Sequence, residues 1–421
     1  RSSAASDVYK RQGTITTGYG RNAAGEITSS TITQHTTPAV THDRHTETSA
    51  PAGLDHTGRL LAELTYTTNT RGHRATTAID NLVRTIDIDT RGRITGDHTN
   101  LLDSTTTGGL IPVAGRDFTW QADSTLTAIT DQLRGTTSFT VDAIGRATSA
   151  TRTPQPTTNP SDQGTTPPHT PARAGTPAQS GNATSGVSAQ ENYSFTPAGV
   201  LASTTDGVID YHNTLPVKVG RTTYTYDAAG RITRTVTKRL GKKPLVHHFY
   251  YATGEQPIGF SSSDAPGVGY RYTYDGLGRR VAKDTINTTT GEVTHRDVFT
   301  HTGNQLAAVT TTIDTTDPTR VGEGYVWTTD PATGDTHGQI TLTTSSTNGT
   351  PVNPAAGWSQ ARVDATFYAL VCDLAGAPQE LINTTTGVVE GHTTQTLYGK
   401  RTWSCLLYTS PKPTRPLYIS Y

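Results

Sequence analysis

A short phrase recurs along this chain of 421 residues. Two aromatic residues alternate with a small one, then come Asp, two variable positions, Gly, Arg and an aliphatic residue. The clearest copies are Tyr224-Thr225-Tyr226-Asp227-Ala228-Ala229-Gly230-Arg231-Ile232 and Tyr272-Thr273-Tyr274-Asp275-Gly276-Leu277-Gly278-Arg279-Arg280-Val281. Phe139-Thr140-Val141-Asp142-Ala143-Ile144-Gly145-Arg146 follows closely. Shorter matches start at Asp55 (with Gly58, Arg59, Leu60) and Asp89 (with Gly92, Arg93, Ile94), and Asn replaces Asp at Asn22–Gly25 and Asn69–Gly72. Decayed copies stand at Tyr193–Leu201 and Phe118–Asp123. Where copies adjoin, the spacing is 20 positions from Asn69 to Asp89 and 19 from Asp123 to Asp142.

The phrase has a physical reading. Alternating rings fall on one face of a strand, because successive side chains point to opposite sides. The Asp carboxylate can accept from backbone amides two or three residues on and so start a turn. The glycine suits the left-handed position of a type I turn with a G1 bulge, where a side chain would cost on the order of 1–2 kcal/mol. Arg-Ile or Arg-Val then begins the return strand. Each copy is a β-hairpin, marginal alone in water, so copies must stack. Of the aromatic residues 18 are Tyr, against 7 Phe and 4 Trp, so most rings carry a hydroxyl for a polar partner while forming ladders between hairpins.

Composition agrees with stacked hairpins. Only 32% of residues are hydrophobic and 17% charged, with 41 Gly and 23 Pro. That favours strands and turns, very little helix and no thick core. Formal net charge is zero, from 35 basic and 35 acidic residues, which gives no field to attract nucleic acid or an anionic membrane. No apolar run approaches the roughly 20 residues of a spanning helix, and no signal-peptide pattern is visible.

The ends read as foreign. The chain has no Met. Asp7–Gln12 can be encoded by a DNA string whose reverse complement, read one base in, gives Cys405–Ser410. Residues 1–12 and 404–421 are therefore expected to be adapter-derived, and the chain to be a fragment. With Cys405 set aside Cys372 is the remaining cysteine, so no internal disulfide is expected. The expected organisation is a first repeat segment at 13–150, a flexible Pro/Thr/Ser/Gly-rich insertion at 151–190, a second repeat segment at 191–360 and a distinct segment at 361–403. Residues 341–354 resemble the insertion.

These residues carry a family resemblance. The Tyr-x-Tyr-Asp-x-x-Gly-Arg copies resemble the YD repeats of the Rhs family, shared with shell components of insecticidal toxin complexes and with teneurins. A second match agrees: Phe367 to Leu381, containing Asp373, Gly376, Pro378 and Glu380, followed by Gly387 and Thr396-Leu397-Tyr398-Gly399, is similar to the opening of the Rhs-associated core. The resemblance spans residues 18–403. It implies an all-β fold of repeated hairpins in a spiralling, single-layer β-sheet shell, here partial, wetted on both faces. It also implies a bacterial secreted or cell-surface protein whose C-terminal cargo, a toxin, lies beyond this fragment. That cargo domain, the secretion machinery and glycans are the partners it brings in. The family's shell-closing motif and self-cleavage site follow the segment seen here and are not assigned to this chain.

Enzymatic readings find little support. The turn explains every Tyr-Asp pair. His42-Asp43-Arg44-His45 is a meagre ligand set for a metal, His247 and His248 would point to opposite faces of one strand, and Cys372 lacks a histidine partner in sequence. No phosphate-binding Gly-rich loop, His-Glu-x-x-His or Gly-x-Ser-x-Gly occurs. The expectation is a non-enzymatic container without a cofactor or metal. The alternative is a surface module binding carbohydrate or protein through exposed rings. Ring burial separates them.

Overall fold

The computed structural model describes residues 14–35, 58–69, 74–103, 109–154, 189–314, 317–330, 332–344, 363–373 and 375–405. They form strands and turns without a helix, as the composition suggested. The first sheet has eleven strands. They are β1 (Thr14–Arg21), β2 (Ile27–His35), β3 (Gly58–Thr68), β4 (Arg74–Ile79), β5 (Leu82–Ile88), β6 (Ile94–Leu102), β7 (Leu110–Trp120), β8 (Leu126–Asp131), β9 (Gly135–Val141), β10 (Ala147–Thr153) and β11 (Ala189–Asn192).

The second sheet has eighteen strands. It begins with β12 (Ser194–Phe195), β13 (Leu201–Thr204), β14 (Gly207–His212), β15 (Leu215–Val219), β16 (Thr222–Tyr226), β17 (Ile232–Arg239), β18 (Lys242–Tyr251), β19 (Pro257–Ser262) and β20 (Val268–Tyr274). It continues with β21 (Arg280–Asn287), β22 (Val293–Thr302), β23 (Gln305–Asp314), β24 (Asp317–Thr329), β25 (Thr336–Thr344), β26 (Val363–Cys372), β27 (Pro378–Asn383), β28 (Val389–Gln395) and β29 (Arg401–Cys405).

Within each sheet every strand pairs antiparallel with its neighbour in sequence, so the fold is a ribbon of consecutive hairpins. Side chains show why. Thr222-Thr223-Tyr224-Thr225-Tyr226 alternates half-buried and exposed positions, as does Gly207–His212, and β-branched and aromatic residues fit such a pleated, partly covered surface. Residues 155–188 of the expected insertion, residues 345–354 of the similar stretch, and residues 1–13 and 406–421 lie outside the described residues.

The ribbon is a single layer over β14–β22, none of whose residues enters the shared apolar core. It differs elsewhere. Ile32, Leu64, Tyr66, Ile79 and Leu82 of the first sheet pack with Val326, Ile340, Phe367, Val371 and Ile382 of the second. The apolar share is low on average but concentrated: Ala365, Phe367, Ala369 and Val371 put a run of apolar side chains on one face of β26, and a buried Leu or Ile contributes about 1.5–3 kcal/mol. A face with that content must be covered, so two layers of the ribbon meet here.

Candidate functional site

The repeat turns supply the recurrent geometry. At Asp227 the turn closes through Gly230 N to Asp227 O at 3.0 Å and Asp227 N to Arg231 O at 3.0 Å. Asp227 Oδ1 accepts from Ala229 N at 2.9 Å and Arg231 N at 3.0 Å, two and four residues on rather than two or three. The pairing slips between Thr225 and Tyr226, the expected bulge. Gly230 has φ of 80°, a region where a side chain is strained. Asp89 with Gly92, Asp142 with Gly145 and Asp275 with Gly278 repeat the arrangement. Asp55 lies outside the described residues; Gly58 opens β3. Residues 70–72 of the Asn69–Gly72 turn fall outside them too.

Sequence reasoning missed what the arginine does. In all four copies its Nε donates to the second Asp oxygen at 2.7 Å. The same guanidinium then reaches the following turn: Arg93 lies 5.7 Å from the Trp120 ring, Arg146 4.2 Å from Phe195 and Arg231 4.8 Å from Tyr251. Arg93 also donates to Gln121 O at 2.8 Å, and Arg231 to Gly254 O at 2.6 Å. Each ring just precedes the next turn, a spacing that sequence inspection could have revealed. Aspartate fixes the arginine, and the arginine fixes the neighbour.

Departures from the phrase follow the same chemistry. At Asn22 the position of Arg is taken by Glu26, and the pair reverses polarity: Asn22 Nδ2 donates to Glu26 Oε2 at 2.7 Å. In the decayed copy after Trp120 the turn starts at Gln121, not Asp123. Ser124 N reaches Gln121 O at 3.1 Å, and Ser124 holds the glycine position with φ of 71°. The sequence alignment on Asp123 was off by two places because the carboxylate has moved inside the turn, where it accepts from Thr125 N.

The rings are engaged between hairpins. Phe249, Phe260 and Tyr270 are register partners on consecutive strands, with centroids 5.3 and 6.0 Å apart. Tyr272 is 5% exposed. Hydroxyls of Tyr211, Tyr226 and Tyr274 donate to Leu201 O, Pro216 O and Pro257 O at 2.7–2.8 Å, each on the preceding strand.

The Asp373 segment contains another such turn: Asp373 Oδ1 accepts from Ala375 N and Ala377 N, and Gly376 has φ of 75°. Ala377 replaces the arginine, so Gln379 and Arg401 approach Asp373 Oδ2 at 3.1 and 3.3 Å. Pro378 opens β27 and pairs with Cys372. Glu380 is fully buried and faces the other layer. Its Oε1 receives Arg116 and, at 2.7 Å, Arg134. Asp131 accepts from Arg116 at 3.1 Å and Arg134 at 2.7 Å, and Arg84 forks onto Asp97 at 2.8 and 2.9 Å while donating to Cys372 O. Glu380 Oε2 and Arg134 Nε find no partner among the described residues. His392 is the register partner of Glu380. Burial, then Arg134, holds its pKa below the usual histidine value.

The last hairpin closes on the sheet junction. Leu397 N donates to Glu191 Oε2 at 2.8 Å, the Tyr398 hydroxyl donates to Ala147 O at 3.0 Å, and the Tyr398 ring lies 4.5 Å from Tyr193. Burial and the neighbouring Glu191 push the Tyr193 hydroxyl up to about 12, which keeps it a donor to that carboxylate.

Other candidates separate. Burial pushes the Cys372 thiol up to about 12, away from a thiolate at neutral pH. His247 and His248 occupy opposite faces of β18, with His247 5.2 Å from Phe260. His42 and His45 lie outside the described residues, among which no group of three or more potential metal ligands occurs. No described helix is long and apolar enough to cross a membrane, which says nothing of β-barrels.

No family model and no curated protein matches this sequence. Among solved structures the fold is similar to a crystal structure of TcdB2-TccC3-TEV, with TM-score 0.52 and 12% identity over 94% of this chain and 17% of that one. A crystal structure of TcdB2-TccC3 is similar at TM-score 0.50 and 10% identity, over 94% of this chain and 18% of that one. The chain thus spans under a fifth of those chains, and at such identity the likeness concerns the fold alone.

Proposed function

We propose that this chain is a wall segment of an Rhs-type container, secreted or surface-displayed by a bacterium, whose job is enclosure of a cargo domain encoded beyond it. The observation that carries the reading is the return of the ribbon onto itself: the β28–β29 turn docks on β10 and on the β11–β12 junction through Leu397 and Tyr398. A hairpin ribbon whose last turn meets its own earlier strands is suited to a wall. The fold likeness to TcdB2-TccC3 supports the same reading. In it the wall itself is non-catalytic and needs no cofactor.

The alternative, a glycan- or protein-binding surface module, needs accessible rings. Engagement of the repeat tyrosines between hairpins favours the wall. The test is protease protection of the downstream domain when expressed in one frame with this chain. Cargo that outlasts the free domain under digestion is the expected result; cargo digested as fast as the free domain contradicts it.

A further inference from the structure

The buried charges between the layers are not required by the repeat. Three cations, Arg84, Arg116 and Arg134, meet three anions, Asp97, Asp131 and Glu380, with His392 beside them. All but Glu380 and His392 belong to the first layer, on β5–β8 and the β8–β9 turn. From the second layer Asp335 also acts on Arg84, and the Cys372 backbone oxygen accepts from it. The shared Glu380 oxygen is the point where the second layer's charge enters the first.

We propose that this cluster is a proton-operated latch, which holds β26–β28 against β5–β8 at neutral pH and releases them in acid while the hairpins stay paired. The layers are joined here by side chains, not by a strand ladder: the first sheet ends at β11 and the second begins at β12. Parting them therefore breaks no strand pairing. The cluster is balanced as it stands. A proton on His392 adds a positive charge beside Arg134, where Arg116 and Arg134 already converge on Glu380. That change pushes the cluster toward unrelieved positive charge beside largely buried arginines, where it is costly.

The pH window follows from the signs. His392 has a folded-state pKa below its ordinary value, so the opened state takes up the proton more readily. Stability from the neutral ring is lost as pH falls from about 6.5 through that lower value. The turn carboxylates Asp89, Asp142, Asp227 and Asp275 are held below the usual carboxylate range, so the hairpins outlast the latch. A range exists in which the wall opens and the ribbon survives.

The test places donor and acceptor dyes at Leu133→Cys and Val388→Cys, positions 44% and 48% exposed in turns of opposite layers. The full chain carries Cys405→Ser as well, and buried Cys372 is left as it is. Energy transfer and the far-ultraviolet strand signal are followed from pH 8 to pH 3. Transfer is expected to fall below about pH 6.5 with the strand signal intact, and His392→Gln is expected to move that fall to lower pH. Glu380→Gln is expected to show low transfer already at neutral pH. If Glu380→Gln does not fold, His392→Gln decides alone. Transfer and strand signal lost together, or a fall that His392→Gln leaves in place, overturns the latch.

Discussion

The guanidinium of Arg146 lies 4.2 Å from the ring of Phe195 and so ties the β9–β10 hairpin to β12, the first strand of the second sheet. Its Nε is held at 2.7 Å by Asp142. One arginine thus links a turn to the next repeat across the junction of two sheets.

Arg146→Lys tests that link. Lysine keeps the charge but loses the planar fork and its stacking, a contact worth about 0.5–1 kcal/mol at an exposed site. The expected result is an unfolding free energy lowered by about 0.5–1 kcal/mol, read from a lower urea midpoint, with the strand signal unchanged at zero denaturant. An unchanged midpoint would show that the stacking contributes nothing.

Glycine at the turn is required by backbone shape, not by space. A Cβ at Gly230 would meet only Leu215, at 3.9 Å, yet φ is 80°. Gly230→Ala should therefore destabilise by about 1–2 kcal/mol. Gly254→Ala, with open space and no positive φ, should be near neutral in the same denaturation series.

The Asn22–Glu26 pair predicts a charge swap. Asn22→Asp alone sets two carboxylates against each other and should destabilise the β1–β2 hairpin. Adding Glu26→Arg rebuilds the Asp–Arg pair of the other copies. A double-mutant cycle should return a favourable coupling of about 0.2–1 kcal/mol; zero coupling would remove the pair from the turn's design.

Acid should unfasten the turns together. The backbone N–H of the following arginine, foremost, holds Asp89, Asp142, Asp227 and Asp275 below the usual carboxylate range. Groups with depressed folded-state values contribute stability that is present above their ordinary value, about 3.9, and lost as pH falls through the lower one. Denaturant midpoints from pH 5 to pH 2 should decline most below about pH 4. A flat profile contradicts the assignment.

Much of this fold was legible because its determinants are local. Tyr224-Thr225-Tyr226-Asp227 states strand, face and turn within four residues, and neighbouring strands pair in chain order, so no long-range pairing had to be guessed. Contacts between distant residues were not legible. Nothing near Glu380 in sequence announces Arg116, and the packing of β26 on β3 depends on how far the ribbon turns. The arginine clamps lay between these cases. The ring before each next turn was in plain sight, but its meaning required the register, and the two-residue slip at Gln121 shows how loosely a decayed copy fixes it.

The central claim is a continuous ribbon of sequential hairpins clamped turn to turn by the repeat arginines. An experimental density map of this chain tests it most directly. The account predicts strands in chain order through both sheets, with Arg93, Arg146 and Arg231 lying over Trp120, Phe195 and Tyr251. Hairpins sorted into separate compact lobes, with those guanidiniums directed into solvent, would contradict it.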